Sequence, residues 1–128
     1  MAVQLRIVTP RAVAWTGQAE EVLAPGHHGQ FGVLPGHERF LSVARPGRVV
    51  IHSAGGEQAF VVGTGFIEVS GEHVTILTDV CEPVGQVDAD TATQQLADAE
   101  LELVECIQGS AAWDEAQKRA DLARARLG

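Results

Sequence analysis

Two hydrophobic rhythms divide this chain. Up to about Asp79, short apolar runs are punctuated by Pro and Gly: Leu5–Val8, Val13–Trp15, Glu21–Leu23, Val49–Ile51, Phe60–Val62, Phe66–Val69 and Val74–Leu77. Successive side chains on an extended strand point to opposite faces, so alternating runs of this length predict β-strands. Several such strands at close spacing predict a sandwich or flattened barrel. Ser53-Ala54-Gly55-Gly56 and Ser70-Gly71-Glu72 predict hairpin turns between neighbouring strands. Arg45-Pro46-Gly47 predicts a third turn, because proline presets one central φ and glycine accepts a positive one.

From Asp88 onward the period lengthens to that of a helix. Ala92, Leu96, Ala99, Leu103 and Ile107 share one face of a 100° wheel, with Asp98, Glu102 and Glu105 opposite. Asp88 or Asp90 is placed to cap the start, and Gly109 ends the helix. A second helix opens on Ser110 and carries the stripe Trp113, Ala116, Ala120, Ala123 and Leu127. The pair predicts an antiparallel helical hairpin, closely approached because its stripe is mostly alanine. It should be only modestly stabilised, since burial contributes about 25 cal/mol per Å² and alanines bury little. The expected division is a β-sandwich over residues 1–84 and a two-helix hairpin over residues 85–128 that can move.

One stretch departs from both rhythms. Gly29-Gln30-Phe31-Gly32-Val33-Leu34-Pro35-Gly36-His37 sets three glycines and a proline around Phe31, Val33 and Leu34, which prescribes the backbone and leaves little side-chain chemistry. That composition predicts a rigid docking loop, held to its own core by Phe31, Val33 and Leu34.

Composition narrows the function by exclusion. A chain of 128 residues suits one main core with a small appendage. Its net charge of -8 would repel nucleic acid and anionic headgroups. No run approaches the ~20 apolar residues of a membrane-spanning helix, and Met1–Pro10 lacks the pattern of a secretory signal, so the chain reads as cytosolic. Cys81 and Cys106 have no metal-ligand spacing and are expected to be two buried thiols. His27, His28, His37, His52 and His73 form no HxH or HExxH motif, so no metal is expected. Ser42, Ser53, Ser70 and Ser110 lack a GxSxG elbow. Gly55-Gly56 and Gly63-Thr64-Gly65 are too short to cradle phosphate and suit strand turns better. No catalytic residue is assigned.

Charge also follows the hairpin. Glu82–Gln108 carries acidic charges alone, whereas the second helix sets Lys118, Arg119, Arg124 and Arg126 against Asp114, Glu115 and Asp121. Arg119 and Arg126, seven residues apart, are expected on one face away from the alanine stripe, available to an acidic partner or simply solvated.

The nonapeptide Gly29–His37 closely resembles the Gly-x-Phe-Gly-Val-Leu-Pro-Gly-His stretch of the epsilon subunit of bacterial F-type ATP synthase. The resemblance runs on through Leu5–Pro10, Val22–Gly26, Arg45–Gly47, Gly65–Val69 and Val74–Asp79 in that order. It implies a β-sandwich of about ten strands followed by a two-helix hairpin, in a non-catalytic subunit of the rotary central stalk. It implies binding to the gamma subunit and the c-ring, coupling ring rotation to the catalytic head. The implied location is peripheral, on the cytoplasmic face of the bacterial membrane, with membrane association only through the complex. In that family the hairpin can extend along gamma, where basic residues meet acidic segments of the catalytic beta subunits and inhibit ATP hydrolysis.

Carried onto this chain, the resemblance makes Gln30 and His37 the residues facing the c-ring, with Gln30 where glutamate is frequent. It makes Lys118, Arg119, Arg124 and Arg126 the inhibitory basic face. Some members bind ATP through Ile/Leu-Asp-x-x-Arg-Ala, matched here by Val87-Asp88-Ala89-Asp90-Thr91-Ala92. Thr91 replaces the arginine, and Asp90 and Asp98 add negative charge, so ATP binding is expected to be weak or absent and no cofactor is assigned. The competing reading is a free-standing β-sandwich that binds a small ligand under a helical lid. It requires a concave aromatic pocket, which a chain with no Tyr, two Trp and four Phe supplies poorly.

Overall fold

The computed structural model describes residues 2–36 and 39–128. Ten strands are present among them: β1 (Val3–Val8), β2 (Val13–Ala19), β3 (Glu21–Gly26), β4 (Gly29–Val33), β5 (Phe40–Ala44), β6 (Gly47–Ser53), β7 (Gly56–Val62), β8 (Gly65–Ser70), β9 (His73–Thr78) and β10 (Cys81–Pro83). A short 3₁₀ turn at Val84–Gln86 leads into α1 (Ala89–Glu105) and α2 (Ala111–Leu127). All seven strand segments read from the alternation fall inside strands.

The sheet runs β10-β7-β6-β3-β5-β8-β9-β1-β2, with β4 paired to β3. Every ladder is antiparallel except β1–β9, where Leu5 lies beside Val74 and Ile7 beside Ile76. The two hairpin turns close as expected, with Ser53 opposite Gly56 and Ser70 opposite His73. Gly56 and Gly71 take positive φ there, which glycine adopts without a Cβ clash. The sheet curls so that Leu5, Ile7, Ile51, Ile67, Ile76 and their valine neighbours meet in one fully buried core. At the start of β8 the chains approach so closely that a Cβ on Gly65 would collide with the Leu77 carbonyl. Gly63-Thr64-Gly65 is therefore a strand connection.

The strands missed from the alternation are β4, β5 and β10. The Gly29–Val33 part of the expected docking loop is strand β4, pairing Val22 with Val33 and Ala24 with Phe31. Its glycines hid the strand pattern, because they supply no alternating side chains.

Asp88 caps α1: one carboxylate oxygen accepts the backbone N–H groups of Asp90 (3.0 Å) and Thr91 (3.3 Å), and the other accepts the Thr91 hydroxyl (3.0 Å). Ser110 caps α2 by accepting the Trp113 N–H at 3.2 Å, and Gly109 takes the left-handed conformation between the helices. α2 rests against β6 and β7, and α1 packs on α2. Ala92 and Ala99 of α1 and Ala116, Ala120 and Ala123 of α2 are buried. Ile107 is an exception to the expected stripe: α1 ends at Glu105, so Ile107 lies past the helix and is 81% exposed. Leu127, at the last turn of α2, is also exposed. Cys81 and Cys106 are half-buried rather than buried. Cys81 packs on the core, and its partial burial, with Glu82 adjacent, raises its thiol pKa.

The cap makes the hairpin sensitive to acid. The hydroxyl of Thr91, then the two backbone N–H groups, hold the Asp88 carboxyl below its ordinary range. A lowered folded-state pKa means stabilisation that is complete above the unfolded value of about 3.9 and lost as pH falls through the folded one. Asp88→Ala should therefore lower the thermal midpoint of the helical circular-dichroism signal near neutral pH, and the difference from wild type should shrink as pH falls from about 5 to about 2.

Candidate functional site

Three surfaces hold the residues singled out from the sequence, and a fourth lies beside them. The first is the β3–β4 hairpin. Gln30 is exposed and stands opposite Pro25, beside the His27-His28 turn, whose rings meet edge to face at 4.8 Å. Phe31 lays its ring over Gly26, where a Cβ would touch it, and packs edge to face on Phe40 with centroids 5.2 Å apart. Val33 is buried. Leu34, expected to anchor the loop, is instead 55% exposed, because it follows the last residue of β4. His37 lies outside the described residues.

The second surface is the basic side of α2, where Lys118, Arg119 and Arg124 stay exposed, as expected of an outward face, and Arg126 is partly buried. Arg119 is ion-paired with Glu102 of α1, Arg124 reaches Asp121 (3.1 Å) and Glu100 (3.4 Å), and Lys118 reaches Glu115 (3.8 Å). Arg126 grips Glu82 of β10 with two hydrogen bonds, 3.0 Å from Nε and 2.6 Å from Nη2, and donates another to Gln95 of α1 at 2.8 Å. The pairs of Arg119 and Arg124 with α1 come from the antiparallel packing, which lays α1, whose charges are all acidic, alongside the basic side of α2. Glu102, expected on the outer face of α1, is accordingly half-buried, and its hydrogen bond from Arg119 lowers its pKa and raises that of Arg119.

The third surface adjoins it. Val87, Asp88, Thr91 and Ala92 line a cleft of about 270 Å³ with Glu82, Gln95 and Arg126. Two groups of residues that looked unrelated in sequence, the degenerate nucleotide motif and the end of α2, are thus one place. Thr91 and Asp88 are engaged with each other in the cap. The cleft's cation, Arg126, is engaged with Glu82 and Gln95.

The fourth surface was not foreseen. Val43 of β5 pairs with Phe66 of β8, Phe66 with Leu77 of β9, Leu77 with Val8 of β1, and Val8 with Val13 of β2. Residues abreast in a ladder share a face, so these five form an apolar row across five strands. Val43, Phe66, Leu77 and Val13 are each about half exposed, and Leu41 beside them is more so. An exposed apolar row of this length marks an interaction surface. The faint sign in the sequence is that Ile7-Val8 and Ile76-Leu77 place apolar residues on both faces of their strands.

Pockets for small ligands look different. A cleft of about 630 Å³ at the far end is lined by Gln4, Gln18, Glu20, Ser53, Gly55 and Glu72, without an aromatic or a helical residue. One of about 400 Å³ between the β3–β4 hairpin and α2, lined by Pro25, Gln30, Pro46, Asp121 and Arg124, also lacks aromatics. Among the described residues no group of three or more His, Cys, Asp or Glu could hold a metal, and no helix is long and apolar enough to cross a membrane.

Comparison with known proteins points in one direction. Residues 2–84 match the family model for the ATP synthase delta/epsilon chain, beta-sandwich domain. The ATP synthase epsilon chain of Anaeromyxobacter sp. (strain K) is 36% identical over 127 residues, covering 99% of this chain and 96% of that one. The epsilon chain of Myxococcus xanthus is 38% identical over 96 residues, covering 75% and 71%. In fold, the chain superposes on one in a cryo-EM structure of the Euglena gracilis mitochondrial ATP synthase (OSCP/F1/c-ring) with a TM-score of 0.85 at 19% identity, covering 97% of this chain and 78% of that one. A match to the central stalk and c-ring of the Tetrahymena thermophila mitochondrial enzyme has a TM-score of 0.66 at 14% identity, covering 100% and 98%. The family model over residues 2–84, the 36% identical match over nearly the whole chain, and the ten-stranded sandwich with its helical hairpin show that the chain belongs to the ATP synthase epsilon family.

Proposed function

We propose that this non-catalytic subunit works in the central stalk, coupling rotation of the c-ring to the catalytic head through gamma. The observation that carries the proposal is the apolar row Val43–Phe66–Leu77–Val8–Val13, which we assign to gamma. A stalk subunit that transmits torque needs a lasting contact, and apolar area removed from water is the contribution that does not fade with salt. The β3–β4 hairpin supports a separate ring-facing contact, in which Gln30 and His37 meet the c-ring with little charge. This arrangement sets the chain peripherally on the cytoplasmic face of the membrane, held there by the complex.

Inhibition of ATP hydrolysis is the second part of the proposal. Lys118, Arg119, Arg124 and Arg126 meet acidic segments of the catalytic beta subunits when the hairpin extends. In the docked hairpin each of these four side chains already has an acidic neighbour, so extension exchanges the α1 and β10 partners of Arg119, Arg124 and Arg126 for external ones, while Lys118 keeps Glu115 within α2. The degenerate motif Val87, Asp88, Thr91 and Ala92 leaves ATP no free cation in its cleft, which supports a subunit regulated without bound nucleotide.

Three outcomes follow. Phe66→Glu should weaken co-purification with gamma by about 30-fold or more in affinity, the scale of losing one well-packed aromatic anchor; unchanged association would remove the assignment of the row. Truncation after Asp88 should leave the complex assembled and raise its ATPase rate, whereas an unchanged rate would remove only the inhibitory part. Calorimetry with millimolar ATP should show no saturable binding tighter than a Kd of about 100 µM, roughly -5.5 kcal/mol.

A further inference from the structure

The contact between the hairpin and the sandwich is unusual in its chemistry. The buried residues of α2 are Ala116, Ala120 and Ala123, whose side chains are too small to grip the sheet by apolar area. Among the described residues, the hydrogen bonds between α2 and the sandwich are made by two arginines acting in opposite directions. Arg126 reaches from α2 to the sheet and forks onto Glu82 of β10. Arg48 reaches from β6 to α2, donating from Nε to the Ala125 carbonyl at 2.8 Å and from Nη2 to the Arg126 carbonyl at 3.0 Å. Those carbonyls lie in the last turn of the helix, where the negative end of its dipole attracts a cation. Arg126 is 19% exposed and Glu82 35%, so this pair is better shielded from solvent than Arg119–Glu102 at 51% and 45%.

We propose that Arg126–Glu82 and Arg48 with the α2 carbonyls form a two-point electrostatic latch that sets how often the hairpin leaves the sandwich. Both points close on the same turn of α2, so undocking must break them together. The pairs Arg119–Glu102 and Arg124–Glu100 join α1 to α2 and survive if the hairpin swings away as a unit. The chain thus has two separable steps, release from the sandwich and then separation of the helices, each with its own arginines. The latch also hides Arg126 from any outside acidic surface until the first step is made. The latch rests on the fold alone, and only its bearing on inhibition depends on the function proposed above.

The test uses the isolated full chain with Cys81 and Cys106 replaced by alanine and spin labels at Glu72, in the β8–β9 turn, and Gln108, in the turn between helices. Both positions are exposed. Distance distributions between the labels give the undocked fraction. Arg126→Ala and Glu82→Gln should each raise the ratio of undocked to docked chains about fivefold or more, and the charge reversal Glu82→Arg with Arg126→Glu should restore it toward wild type. Arg119→Ala, which leaves both latch points intact, should shift it by less than about twofold. Salt at about 0.5 M should promote undocking in wild type and have a smaller effect in Arg126→Ala. Equal undocked fractions in wild type, Arg126→Ala and Glu82→Gln, with the sandwich's melting midpoint unchanged, would overturn the latch. So would a double reversal that opens the hairpin as far as the single substitutions do. Because gamma is absent from the experiment, neither result bears on the stalk assignment.

Discussion

The structure depends on strand register. Once Ile67, Ile76 and Ile7 lie abreast in adjoining strands and turn inward, the next residues along, Phe66, Leu77 and Val8, must lie abreast and turn outward. The core and the apolar row are therefore one decision: a slip of a single residue would exchange them, exposing the isoleucines and burying the row. The hairpin turns after Ser53 and Ser70 and the close approach at Gly65 hold the register where it is. A surface for docking is in this sense a by-product of the same alternation that builds the core, kept apolar where solubility alone would favour polar residues.

The helical hairpin obeys a different economy. Alanines let α1 and α2 approach closely, yet each buries little area, so charge carries a larger share of the contact than in the sheet. The charges of α1 are all acidic, those of α2 are mixed, and their antiparallel pairing sets basic side chains of α2 beside acidic ones of α1. Shielded pairs depend on salt less than exposed ones but remain breakable, which suits the proposed release of the hairpin. The sandwich is held by buried apolar area, and the hairpin, on the function proposed above, exchanges partners.

Much of this was legible in the residues themselves. Alternation revealed seven strands, and the Asp88 and Ser110 caps and Gly109 placed the helices, because these signals are local. β4 was hidden because glycines at Gly29 and Gly32 carry no side chain to alternate. The Phe31 and Val33 anchors were foreseen, but Leu34 lies just past the strand that would have turned it inward. A wheel drawn for α2 alone places Arg119 and Arg126 on one outer face but has no knowledge of the acidic partners beside it, Glu102 for Arg119 and Glu82 for the partly buried Arg126. Glu82, Gln95 and Arg48 were missed for the same reason: their partners are distant in the chain, and only the fold brings them together. The apolar row needed the ladder pairings, since its members come from five strands and no two are adjacent in sequence.

The central claim is that the chain sits on gamma through the outward row of the sheet. Photo-crosslinking from position 66 tests it most directly, with a benzoylphenylalanine in place of Phe66 in the assembled complex and a matched probe at Gln58 of β7. The account predicts a covalent adduct with gamma from position 66 and little or none from position 58. An adduct from position 58 alone, or capture of gamma from neither position in an intact complex, would contradict it.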